Sequence, residues 1–230
     1  MRLLLVASTP TEFRGILRRL HAPRAISLAA DWARTGTLAG AETLLVANGV
    51  GRHRAAAAVD AAWTVLPADR VISVGFCGAL DPALGIADVV VGTCVADQFR
   101  RYTVLPLTGR AAGSGTIRSV DRVVRRAAEK SKLRAEGGIA VEMEAAGVAE
   151  RAGALGAAFS CVRVVTDLAG EDLANDFNRA LRSDGHFDTM RILRESLRHP
   201  AARIPELIRL QQRCVRASLT LGDFFADCRF

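Results

Sequence analysis

Short apolar runs recur along the chain and alternate with stretches of helical periodicity. Residues 3–7, 43–47, 70–74, 88–92 and 161–165 are leucine- or valine-rich and bounded by Gly, Asp or Pro. Apolar runs this short, without polar alternation, predict strands buried on both faces. Between them, residues 11–20, 52–66, 120–132, 142–154 and 187–198 carry helical patterns. A strand is expected within 22–38, and 106–115, with Pro106, Gly109, Gly113 and Gly115, reads as a loop. Such alternation predicts an α/β fold: one three-layer α/β/α domain around a central mixed sheet.

The end of the chain has a different pattern. Beyond Pro200, Ile204, Ile208, Val215 and Leu219 share one helical face, and Arg209, Arg213 and Arg216 share another. The division expected is a domain over 1–199 and a basic amphipathic helical extension over 200–230. Such a helix either packs on the domain or makes peripheral contact with a membrane or a lipidic substrate, because basic amphipathic helices bind anionic interfaces.

Composition narrows the classes. Half of the 230 residues are hydrophobic and 24% are charged, which excludes a disordered chain and leaves ample material for a core. Lys and Arg exceed Asp and Glu by 31 to 24, yet only Lys130 and Lys132 are lysines. No run of five basic residues and no basic stretch interleaved with aromatics occurs, so nucleic acid is not an expected partner. The five cysteines contain no CxxC pair, which argues against a disulfide framework and a zinc site and points to a reducing cytoplasm. The apolar start at 3–7 is too short for a signal peptide and is expected to be the first strand.

Candidate chemistry lies at strand ends. Asn48-Gly49-Val50-Gly51 and Val74-Gly75-Phe76-Cys77-Gly78-Ala79 are glycine turns of the kind that bring backbone close to a ligand. Val141-Glu142-Met143-Glu144-Ala145-Ala146 sets two carboxylates in an apolar context, where burial is costly without hydrogen-bond donors. Arg163-Val164-Val165-Thr166-Asp167 ends a strand on a hydroxyl and a carboxyl, a setting in which an acid can be tuned. Glu12 follows the first strand at once.

In this order and at these spacings, the chain from Met1 to about Arg198 resembles the nucleoside phosphorylase/nucleosidase superfamily, most closely its methylthioadenosine/S-adenosylhomocysteine nucleosidase branch. VEMEAA followed by a strand ending in RxxTD is the specific part. The resemblance implies an enzyme that cleaves the N-glycosidic bond of a 5′-modified adenine nucleoside with water. Glu12 would activate the water and Asp167 would protonate the purine, with Thr166 orienting Asp167. Met143 and Glu144 would hold the ribose, beside Glu142. Phe76, Cys77 and Gly78 would line the sugar site, and adenine would lie on Val123 and Val124. Neither metal nor organic cofactor is expected, and a homodimer is.

The chain also departs from the family's pattern. Ser73-Val74-Gly75-Phe76 replaces the phosphorylases' arginine-valine-glycine-serine turn, which favours water, while Arg52 and Arg54 keep phosphate open as an acceptor. Val123 stands where an aromatic usually stacks on adenine. A short stretch between Val95 and Ile117, with the basic tail, is similar to the hopanoid-associated branch, which acts on adenosines with a large apolar 5′ group. The alternatives are a phosphate-dependent phosphorylase and a non-catalytic nucleoside-binding protein.

Overall fold

The computed structural model describes residues 1–228 and 230. Strands β1 (Arg2–Ala7), β2 (His21–Ala25), β3 (Trp32–Leu38), β4 (Ala41–Ala47) and β5 (Arg70–Ala79) are followed by β6 (Val89–Ala96), β7 (Arg101–Thr103), β8 (Gly113–Ser119), β9 (Gly138–Glu142) and β10 (Ala158–Asp167). The helices are α1 (Arg14–Arg19), α2 (Arg52–Trp63), α3 (Ala127–Ala135), α4 (Ala145–Ala154), α5 (Phe177–Ala180), α6 (Thr189–Ser196) and α7 (Pro200–Asp227). All strands join one mixed sheet. Parallel β4, β1, β5 and β10 form its spine, antiparallel β3 and β2 extend one side, and β6, β8 and β9 lead from β10 back to β5. That half of the sheet therefore closes on itself.

Successive side chains of β1 alternate between two cores. Leu4 and Val6 pack with Val59 and Ala62 of α2 and Val148 of α4, while Leu3 and Leu5 pack with Ile16 of α1 and Phe225 of α7. This two-sided burial is why strands and helices in this chain are so alanine-, leucine- and valine-rich, and it produces the three layers. Where α1 crosses α7, Gly15 and Gly222 meet backbone to backbone, and a Cβ on either would overlap the other helix.

Several local expectations are corrected. Strand β5 does not stop at Val74 but continues through the glycines, because β10 pairs with it from Arg70 to Gly78 and β9 takes its far end. Residues 120–126 are not helical. Their backbone groups are engaged in tertiary bonds: Val120 N–H to the Glu142 carbonyl, Val123 N–H to Asn178 Oδ1, and the Arg125 carbonyl to Leu173 N–H. Helix α4 starts at Ala145 rather than Glu142, since Glu142 belongs to β9 and its carboxylate caps the helix through the Glu144 and Ala145 N–H groups. The expected loop at 106–115 ends inside β8.

The tail also differs from its sequence pattern. The inward side of α7 is Ala217, Leu221, Phe224 and Phe225, whereas Ile204 and Ile208 are exposed. Arg213 turns inward to Glu171, at 2.7 Å, and so leaves Arg209 and Arg216 as the exposed members of the basic face. The start of α7 is tied down by buried Glu206, whose carboxylate accepts the N–H groups of Ala174 and Asn175. Among the described residues no helix is long and apolar enough to cross a membrane.

Candidate active site

A cleft of about 350 Å³ opens at the carboxyl ends of β1, β4, β5, β9 and β10, the place where open α/β sheets collect ligands. Its walls bring together Glu12, Phe76, Cys77, Gly78, Val123, Val124, Glu142, Met143, Glu144, Thr166 and Asp167. These residues come from distant parts of the sequence and meet because their strands end side by side.

Glu12 sits on a one-turn helix at Pro10–Phe13, directly after β1. Its carboxylate is buried and fully held. Oε2 accepts from Ser8 Oγ at 2.6 Å and from the Thr9 N–H at 2.7 Å, and Oε1 accepts from the Phe76 N–H at 2.9 Å. The carboxylate is thereby locked to the middle of β5.

Glu142 and Glu144 have separate tasks. Glu142 Oε2 pairs with Arg163 Nη2, which also donates to Ser73 Oγ, so an ion pair lies beneath the cleft floor. Glu142 Oε1 is buried without a hydrogen-bond partner among the described residues. Glu144 stands at the start of α4 and accepts from the Gly51 N–H at 3.0 Å, which joins the first glycine turn to the carboxylate pair. Burial, and after it the neighbouring Glu142 charge, pushes the Glu144 carboxyl up to about 8. At neutral pH it is thus largely a carboxylic acid, able both to donate and to accept a hydrogen bond.

Asp167 ends β10 on the opposite wall. Its Oδ1 accepts from Thr166 Oγ1 at 3.3 Å, and its Oδ2 accepts from Lys130 Nζ at 2.5 Å. Gly78 faces Oδ2 so closely that a Cβ there would crowd it. Two thiols, Cys77 and Cys214, also face the cleft, and burial raises both, Cys214 to about 12, so neither is a thiolate. Among the described residues no group of three or more His, Cys, Asp and Glu side chains is placed to hold a metal ion.

The family model of the phosphorylase superfamily matches residues 2–113 and 107–185. The chain belongs to the phosphorylase superfamily. It is 24% identical over 225 residues to a 5′-methylthioadenosine/S-adenosylhomocysteine nucleosidase of Bacillus subtilis (strain 168), covering 84% of this chain and 97% of that one. A nucleosidase of the same name from Anoxybacillus flavithermus is 26% identical over 214 residues, with 79% and 92% covered. Among solved structures, the Neisseria meningitidis nucleosidase in complex with methylthio-immucillin-A superposes with a TM-score of 0.72 at 22% identity, over 98% of both chains. The S. pneumoniae nucleosidase with a transition-state inhibitor reaches 0.73 at 19% identity, over 99% of both. At these identities the superpositions establish the shared fold.

For this superfamily member the structure adds residues that sequence reasoning did not single out. Leu173, Phe177, Phe187, Ile192 and Leu210, from the α5–α7 region, form an apolar outer wall of the cleft. No local signal marks them, because α5 to α7 reach the cleft only through tertiary packing. Lys130 had a faint signal as one of two lysines in an arginine-rich chain. Conversely, Arg52 and Arg54 do not reach the cleft. Arg52 is spent on Asp97, Tyr102 and Glu150, and Arg54 on Asp31 and Asn48.

Proposed function

We propose that this protein is a nucleosidase that hydrolyses the N-glycosidic bond of a 5′-modified adenine nucleoside. The observation that carries this is the meeting of three differently held carboxyl groups, Glu12, Glu144 and Asp167, around one cleft. In the reaction, the C1′–N9 bond lengthens and its electron pair moves to the purine, leaving an oxocarbenium-like ribose. Asp167 gives its proton to the ring nitrogen of the leaving base, a step worth about 10²–10⁴-fold. Glu12 takes a proton from the water whose oxygen bonds to C1′. Glu144, with Met143 beside it, holds the ribose hydroxyls in the near-attack geometry. Val123 and Val124 supply the adenine wall, while Phe76, Cys77, Gly78 and Thr166 shape the sugar site and Glu142 anchors the floor.

Water is favoured over phosphate because both candidate phosphate-binding arginines are committed elsewhere. A buried carboxylate, Glu12, also occupies the nucleophile side of the cleft, where it would repel an anion. Purified protein should release adenine from 5′-methylthioadenosine in phosphate-free buffer. Release only with phosphate would make it a phosphorylase, and tight binding without release from any adenine nucleoside would make it a binding protein.

The apolar outer wall fits an apolar 5′ group, from methylthio to a lipid-like substituent. A peripheral membrane contact in the cytoplasm is supported by exposed Met190 and Leu193 next to Arg191 and Arg194 on α6, by Leu197 and Arg198 directly after it, and by Ile204, Ile208 and Arg209 on α7. A homodimer is the assembly that the resemblance to the nucleosidase branch implies. Sedimentation equilibrium tests it; a monomer at micromolar concentration would refute it.

A further inference from the structure

Lys130 is an unusual choice for its place. It lies on α3 with 0% exposure, in a chain whose other basic residues are nearly all arginine. Its Nζ donates to Asp167 Oδ2 at 2.5 Å, to the Leu168 carbonyl at 2.6 Å and to the Glu171 carbonyl at 3.3 Å. The three N–H bonds of an ammonium are thereby all used. A lysine offers a compact point charge where arginine would bring a planar fork, and this narrow site, walled by two carbonyls, suits the point charge.

We propose that Lys130 is a positioning residue for proton transfer from Asp167 to the leaving base, an inference that rests on the reading of Asp167 as the acid. Two effects follow from the geometry. By holding Oδ2, Lys130 orients the carboxyl so that Oδ1 is the oxygen that hands over the proton. The ammonium also stabilises the charge that appears on Asp167 as the proton leaves. In the transfer the Asp167 O–H bond breaks, an N–H bond forms on the purine, and the electron pair of the C1′–N9 bond neutralises the base. Lys130 keeps its three protons throughout, and solvent reprotonates Asp167 after product leaves. A preorganised counter-charge close to a developing charge, in a site poor in water, is among the strongest forms of catalytic electrostatics.

A purely structural ion pair would act alike on every substrate, whereas a device for proton delivery would not. An N7-methylated adenine nucleoside already carries a positive charge on its purine before the bond breaks, so its base leaves neutral and needs no acid. Lys130→Met should lose about 10²-fold in kcat on 5′-methylthioadenosine, with KM changed less than about threefold. On the N7-methylated analogue the loss should stay within about threefold. Lys130→Arg, which keeps the charge, should recover part of the loss. Asp167→Asn and the double variant Lys130→Met/Asp167→Asn should be equally slow, since the lysine acts through the aspartate. The double variant carries neither buried charge and serves if Lys130→Met alone does not fold. Equal losses on both substrates, or a double variant clearly slower than Asp167→Asn, would overturn the assignment. Wild-type protein that releases no purine from either substrate would overturn the proposed function and this role with it.

Discussion

Glu12 Oε1 occupies the space where a side chain on Gly75 would begin: a Cβ added there would collide with that oxygen and with Arg163 Nη1. Gly75 also has φ of +146°, which L side chains rarely adopt. The close approach of β5 to the carboxylate lets the Phe76 N–H hold Glu12 in place. Glycine at this position is thus a requirement of the site as much as of the strand.

Gly75→Ala should therefore displace Glu12 and lower kcat by about 10²-fold, the scale of losing a positioned base. The chain should still fold, with a lower Tm. Activity within about threefold of wild type would detach Glu12 from the nucleophile's position.

The pH dependence of stability should carry the mark of Glu144. Its folded-state value of about 8 lies above the ordinary 4.5, so between these values the folded form retains a proton that the unfolded chain has released. Its contribution is complete below about 4.5 and is lost as the pH rises toward 8. Urea unfolding of wild type should show stability falling over this window, and Glu144→Gln should flatten that slope. An unchanged slope in the variant would contradict the burial of this carboxyl.

The Arg163–Glu142 pair makes a second stability prediction. Both side chains are 1% exposed, so removing one strands the other's charge. Arg163→Met and Glu142→Gln should each cost about 3–5 kcal/mol in urea unfolding, and the double variant less than their sum. Additive losses would mean that the two groups are stabilised independently.

Truncation after His199 should yield protein that does not fold, because α7 supplies Leu221, Phe224 and Phe225 to the core beneath β1 and β5. A folded, active truncation would show that the remaining sheet closes without them. The membrane contact is better tested on α6 and on Leu197 directly after it. Replacing Met190, Leu193 and Leu197 by serine should leave Tm and turnover of 5′-methylthioadenosine unchanged while abolishing co-sedimentation with anionic vesicles at low salt. Binding that is indifferent to these residues, or absent in wild type, would sink the contact.

Much of this protein is legible in one dimension because two-sided burial imposes continuous apolar runs. Leu3 to Val6 and Val162 to Val165 could only be inner strands, and the alanine-rich face of α2 only a packed helix. Glu142, Glu144 and Asp167 stood out for the same reason, since they interrupt apolar sequence at strand ends, whereas Glu12, behind Ser8-Thr9-Pro10-Thr11, stood out only by its place in the order of motifs. What the chain's order alone did not decide is where non-local bonds override local preference. Residues 113–119 have little strand pattern and become β8 by pairing with β6 and β9. Residues 120–126 look helical but are drawn straight by bonds to Asn178, Glu142 and Leu173. The partnership of Lys130 with Asp167, 37 residues apart, exists only once α3 is laid against the end of β10. The stripe of Ile204 and Ile208 pointed to a packing face, yet the core met by α7 lies further along, at Leu221 and Phe225. A helix buries the side that finds partners, and those partners are known only when the sheet has closed.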